Sequence, residues 1–144
     1  MRNIVIASDH GGLLLKGAIV AHLGKAGLAV QDLGTHEAVS CDYPPLAHGV
    51  CARVLAEEGT VGILVCGTGL GMSMAANRLS GIRAAVCTNE FMARMSRAHN
   101  DANVLCLGER VVGVGLGLSV VDAFLATAFE GGRHLRRIEL IEKP

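Results

Sequence analysis

The sequence predicts an α/β protein: a doubly wound, five-stranded parallel sheet of Rossmann-like form, with helices on both faces and a C-terminal helical tail. Three observations predict it. Short aliphatic and β-branched runs alternate with longer stretches of helical period, the pattern of βαβ units. The run at 63–65 is apolar throughout, as in a strand buried on both faces. Polar side chains capable of chemistry stand where strands end, the edge at which such sheets bind ligands. Asp9 and His10 close the first strand, Cys66 closes the third and Arg110 follows the fifth.

The elements follow in order. Residues 3–8 read as strand one, ending in Asp9-His10-Gly11-Gly12. Residues 13–26 carry a helical apolar period and stop at Gly27. Strand two is 28–32. An irregular loop, 34–45, holds Asp42, Tyr43 and two prolines. Helix two is 46–58, closed by Gly59. Strand three leads into the glycine loop and a third helix from Met72 to about Leu79. Strand four is 83–87. Asn89 is a candidate N-cap for helix four, which runs to Ala98. His99-Asn100-Asp101 connects to strand five, 103–107, followed by Gly108-Glu109-Arg110. Helix five is 115–129, broken by Gly131-Gly132, and residues 133–142 form the tail. The 144 residues read as one domain, 1–144, with no repeat or linker.

Composition narrows the function classes. The formal net charge is +0 and aromatic residues are 3%, so no nucleic-acid footprint is read. The first strand begins almost at Met1, with no signal-peptide pattern. The longest apolar region, 111–129, is interrupted by Gly113, Gly115, Gly117 and Asp122, which suits a buried helix better than a membrane span. The cysteines at 41, 51, 66, 87 and 106 form no C-x-x-C pair. That fits a reduced, cytoplasmic protein better than a disulfide framework or a zinc site. An apolar fraction of 51% is high for one small domain and points to an oligomer interface.

The chemistry centres on Cys66-Gly67-Thr68-Gly69-Leu70-Gly71. A strand, a glycine loop and a helix start aim free N–H groups at one spot, which favours an anion. Gly67, Gly69 and Gly71 are read as positions of tight, positive-φ backbone. The spacing is neither a dinucleotide fingerprint nor a Walker loop. Loop and thiol alone fit a tight βα turn over a core cysteine equally well.

Taken together, Ser8-Asp9-His10-Gly11-Gly12, Asp42-Tyr43-Pro44, Cys66-Gly67-Thr68-Gly69-Leu70-Gly71, Ala75-Ala76-Asn77, Gly81-Ile82-Arg83-Ala84, His99-Asn100-Asp101-Ala102-Asn103 and Gly131-Gly132-Arg133-His134 resemble the ribose-5-phosphate isomerase type B family. The resemblance spans essentially the whole chain. It implies an aldose–ketose isomerase without cofactor or metal, acting by ring opening and then C1/C2 proton transfer through an enediolate. By that resemblance Cys66 looks like the proton-moving base and His99 like the ring-opening acid–base. Gly67, Thr68, Gly69, Leu70 and Gly71 look like the enediolate's anion hole. Asp9 and Asn100 look like sugar-hydroxyl partners. His10, Arg110, Arg133 and Arg137 look like the phosphate clamp, and Tyr43 like a pocket wall. Some members carry a carboxylate base at the position of Met72 and no cysteine at 66; this chain resembles the thiol branch. Arg136 and His134 receive no role.

The residue types suit these tasks. A thiol beside a helix start can serve as a base near neutral pH. A histidine both gives and takes protons there. Arg133 and Arg137, four apart on a helix, share a face and can grip one phosphate. His22, His36 and His48 match no motif. Two alternatives remain open at this stage: a hexose 6-phosphate as substrate, and a non-catalytic sugar-phosphate-binding module.

Position relative to the sheet adds an expectation about the partner. His99 follows a helix and precedes a strand, so it belongs to the amino edge, whereas Cys66 belongs to the carboxyl edge. A homodimer, possibly paired into a tetramer, can place one subunit's His99 over the other's glycine loop.

Overall fold

The structure, a computed structural model, describes residues 2–144. Five parallel strands form one sheet: β1 (Ile4–Ser8), β2 (Val30–Asp32), β3 (Val61–Cys66), β4 (Ala84–Val86) and β5 (Val104–Gly108), in the order β2-β1-β3-β5-β4. The three inner strands are buried along their whole length, which is why their sequences carry no polar alternation. The two edge strands are partly exposed and have only three residues each.

Five helices cover the sheet, α1 (Leu13–Lys25), α2 (Tyr43–Ala56), α3 (Leu70–Ala76), α4 (Glu90–Ala98) and α5 (Glu109–Ala126), and α6 (Arg133–Glu142) follows them. Successive strand residues point to opposite faces, so one strand feeds two cores. Ile4 and Ile6 pack with Leu15, Ile19 and Leu23 of α1, Ala93 of α4 and Phe124 of α5. Val5 and Ala7 pack with Val50 and Val54 of α2 and with Met72 and Ala76 of α3. Among the described residues, no helix is long and apolar enough to cross a membrane.

Several boundaries differ from expectation, each for a local reason. Helix two begins at Tyr43, not at 46, because Pro44 and Pro45 occupy its first turn. A helix's first N–H groups have no intrahelical partner, so proline loses nothing there. The residues expected in a loop, Tyr43 included, are thus helical. Helix five begins at Glu109 and ends at Ala126, not 115–129. It turns sharply at Gly113 (φ 66°, ψ −172°), and Gly117 lets α1 approach, since a Cβ there would lie 2.8 Å from Leu15 Cδ1. The third helix starts two residues early and stops at Ala76. Asn77 then bridges to strand β4, donating to the Ala84 carbonyl at 2.9 Å and accepting its N–H at 2.8 Å. Edge strands are shorter than 28–32 and 83–87, and β5 runs one residue later than 103–107. Asn89 caps α4 as expected, accepting the Met92 N–H at 2.9 Å.

Candidate active site

The chain runs from β1 to one edge of the sheet and from β3 toward the other. The carboxyl ends of β1 and β3 therefore flank the topological switch point, where open α/β sheets leave a crevice. Asp9 and His10 end β1 on one side of it and Cys66 ends β3 on the other. The two strand ends are bonded there, Asp9 N–H to the Val65 carbonyl at 3.2 Å. Gly12 permits this closeness: a Cβ on it would lie 2.7 Å from the Val65 backbone.

Cys66 is 5% exposed, and its Sγ accepts the Gly69 N–H at 3.1 Å. Other cysteines of the core lack that setting. Burial pushes the Cys51 and Cys87 thiols up to about 11. Burial, with the neighbouring thiols adding to it, holds the Cys106 thiol well above its ordinary value. Those are inert packing groups.

The glycines of the loop serve different ends, which corrects the expectation of positive φ at all three. Only Gly69 has it, at 81°, forming the turn into α3. Gly67 and Gly71 make room instead. A Cβ on Gly67 would stand 3.3 Å from Arg110 Nη1, and one on Gly71 would stand 2.6 Å from Tyr43 Cζ. The Arg110 guanidinium and the Tyr43 ring thus lie against the loop's backbone. Arg110 N–H also bonds to the Gly67 carbonyl at 3.1 Å. Thr68 Oγ1 accepts the Leu70 N–H at 3.3 Å, and both residues are exposed. Asp9 Oδ1 accepts the Gly11 N–H at 2.9 Å, while His10 Nδ1 accepts the Cys41 N–H at 3.2 Å. The carboxyl edge therefore brings together Asp9, His10, Tyr43, Cys66, Gly67, Thr68, Gly69, Leu70, Gly71 and Arg110.

His99, Asn100, Arg133 and Arg137 are not among them. His99 caps the C-terminus of α4, ahead of β5, on the amino edge. Helix α6 lies on that edge too: its first turn places His134 on His99, rings stacked at 4.2 Å and 12°, and its last turn places Glu142 on Arg83 at 3.3 Å. Arg133 and Arg137 are exposed along it. The six residues of β3 separate the two edges by roughly 17 Å at about 3.3 Å per residue. A cavity of about 560 Å³ also opens on the amino edge, lined by Asn77, Arg83, Asn100 and Glu142 among others.

Glu130 was not anticipated at this edge. Its Oε2 lies 3.8 Å from His99 Nε2 and 3.6 Å from His134 Nε2. The spacing of Glu130 and His134, four apart, was the available signal, but they are separated by a glycine pair that hid it. These three residues carry donor types a divalent metal would accept, all within 4.8 Å.

A family model described as ribose/galactose isomerase matches residues 4–141. Among curated proteins, ribose-5-phosphate isomerase B of Escherichia coli is 49% identical over 141 residues, covering 98% of this chain and 95% of that protein. Among solved structures, ribose-5-phosphate isomerase B of Clostridium thermocellum is 55% identical with a TM-score of 0.96, covering 98% of this chain and 95% of that one. The Mycoplasma genitalium protein of the same name, solved with bound ribulose-5-phosphate, is 45% identical with a TM-score of 0.94, covering 98% and 94%.

Proposed function

The chain belongs to the ribose/galactose isomerase family, and on that premise we propose that it interconverts ribose 5-phosphate and ribulose 5-phosphate. The observation that carries the proposal is Cys66 at the switch point, its sulfur held by the Gly69 N–H beside a loop cleared for Arg110 and Tyr43. The ribulose-5-phosphate bound by the Mycoplasma genitalium relative supports a pentose over a hexose phosphate.

In the proposed reaction His99 opens the furanose by moving a proton between ring oxygen and hydroxyl. The Cys66 thiolate then takes the C2 proton and delivers it to C1, while the proton of the C2 hydroxyl passes to the C1 oxygen. Between those steps an enediolate oxygen is stabilised by backbone N–H groups of the loop, whose positions are set before substrate arrives. Asp9 and Asn100 hold sugar hydroxyls. His10, Arg110, Arg133 and Arg137 neutralise the phosphate. No step needs a metal or a cofactor.

Residues assigned to one reaction stand on two edges of one sheet. A twofold dimer unites them, each site taking Cys66 from one subunit and His99, Asn100, Arg133 and Arg137 from the other. Exposed apolar side chains on both sides of that junction, Leu70 (53%) and Met74 (67%) on α3 and Phe91 (64%) on α4, support such burial between subunits. The enzyme would work in the cytoplasm, where its thiols stay reduced.

Turnover of purified protein against a panel of aldose and ketose phosphates tests the function. Ribose 5-phosphate should be the best aldose. His99→Ala should turn over ring-closed ribose 5-phosphate poorly and be less impaired on an open-chain analogue such as erythrose 4-phosphate. Equal loss on both removes His99 from ring opening.

A further inference from the structure

At the amino edge the end of α4 and the approach to α6 share one backbone bond, Glu130 N–H to the Ala98 carbonyl at 3.0 Å. The turn at 99–103 leaves α4, and α6 arrives from elsewhere in the chain. His134 meets His99 at the first turn of α6, and at the last turn another side chain reaches both segments. Arg83, just before β4, donates through Nε to the carbonyls of Asn100 (3.0 Å) and Asp101 (3.1 Å). Its Nη2 donates to the Asp101 carbonyl at 3.0 Å and to Asp101 Oδ2 at 3.3 Å. Its Nη1 donates to Glu142 Oε1 at 3.3 Å. The other Glu142 oxygen accepts the Gly81 N–H at 3.1 Å, just upstream of Arg83.

Asp101 needs such holding. It has a positive φ, 44°, that side chains other than glycine rarely adopt. Arg97 grips its other carboxylate oxygen at 3.2 Å, so two guanidinium groups fix this one turn. The turn contains Asn100 and directly follows His99. Helix α6, tied at its last turn by Glu142, carries Arg133 and Arg137.

We propose that Arg83 is a positioning residue of the active site, its single guanidinium joining the His99–Asn100 turn to the helix of the phosphate clamp. The proposal rests on the isomerase function inferred above. Arg83 touches no substrate in this scheme. It sets the spacing between the group that opens the sugar ring and the arginines that hold the phosphate, and one planar fork with several donors suits that task where a lysine would not. Glu142 is the other half of the device: without it α6 keeps its buried residues, His134 and Ile138, but loses its far anchor.

The test separates the two attachments. Glu142→Ala should raise KM for ribose 5-phosphate about 5–10-fold with kcat changed less than about twofold, because uniform phosphate binding is what slips. Glu142→Gln keeps one acceptor oxygen but turns an NH2 donor toward the second N–H, so its KM should lie between those of wild type and Glu142→Ala. Arg83→Ala should raise KM similarly and also lower kcat about tenfold on the ring-closed substrate, and Arg83→Lys should not restore both. Amide hydrogen exchange reads the same design without turnover: Glu142→Ala should speed exchange only in 133–142, Arg83→Ala in 133–142 and 99–103 alike. If Arg83→Ala does not fold, the Glu142 pair and its exchange pattern decide the matter. Unchanged KM and unchanged exchange in Glu142→Ala, with an active wild type, overturn the positioning role. A wild type inert on every sugar phosphate overturns the isomerase function instead, while the exchange pattern still decides whether Arg83 joins the two segments.

Discussion

The two edges of the sheet hold their candidate residues by different means. At the carboxyl edge the holding is done by backbone: strand ends bonded to each other, a left-handed Gly69, and glycines that let neighbours touch main chain. At the amino edge it is done mainly by side chains, with Arg83 and Arg97 clamping a strained Asp101, Glu142 holding Arg83, and His134 stacked on His99. Backbone scaffolding is rigid and suits groups that must meet a developing charge without reorganising. Side-chain clamps span larger distances and join segments far apart in sequence, which suits residues proposed to reach another subunit.

The largest effect that could break this division is at Cys66. Cys66→Ala should lower turnover about 10²–10⁴-fold, the range of a lost general base, with ribose 5-phosphate binding retained by calorimetry. Near-normal turnover would take the chemistry away from the carboxyl edge. Next comes the meeting of the edges. Cys66→Ala and His99→Ala proteins, each inactive alone, should complement when unfolded, mixed equally and refolded. Half the dimers are then mixed and each has one intact site of two, so about a quarter of wild-type activity should return. No recovery despite confirmed subunit exchange would place both groups within one subunit.

The backbone character of the carboxyl edge is tested by two glycines. Gly108→Ala should cost about 1–3 kcal/mol of stability in denaturant unfolding. Its Cβ would fall 2.5 Å from the Thr68 backbone, which cannot move aside. Gly71→Ala meets only the Tyr43 ring, which is 37% exposed and can swing away, so its cost should stay under about 1 kcal/mol. Equal costs would mean that the loop is not held as described. The smallest expected effect is at the exposed α6: Arg137→Ala should raise KM about tenfold and leave kcat unchanged. A pure kcat effect would remove it from the clamp.

The carboxyl edge was legible in the sequence. Asp9-His10-Gly11-Gly12, the glycine loop and Arg110 each stand directly after an apolar run, so strand ends announced them. The roles of Gly67 and Gly71 were not legible, because the reason for them is an approaching arginine and tyrosine from other segments. The start of α2 was missed because prolines break helices everywhere except in the first turn. Glu130 had only its spacing to His134 as a signal, and the contacts of Arg83 and Glu142 were not legible, because their partners lie 17 to 59 and 59 to 62 residues away in sequence.

By itself the sequence determined the alternation of strands and helices, the two-faced burial of the inner strands and the N-cap at Asn89, since these depend on local period and local hydrogen bonding. Only the tertiary structure decided that β3 lies between β1 and β5, that the switch point falls beside Cys66, and that α6 folds back to the edge opposite it. Those outcomes depend on which apolar faces bury one another across the whole chain, and no local period records that choice.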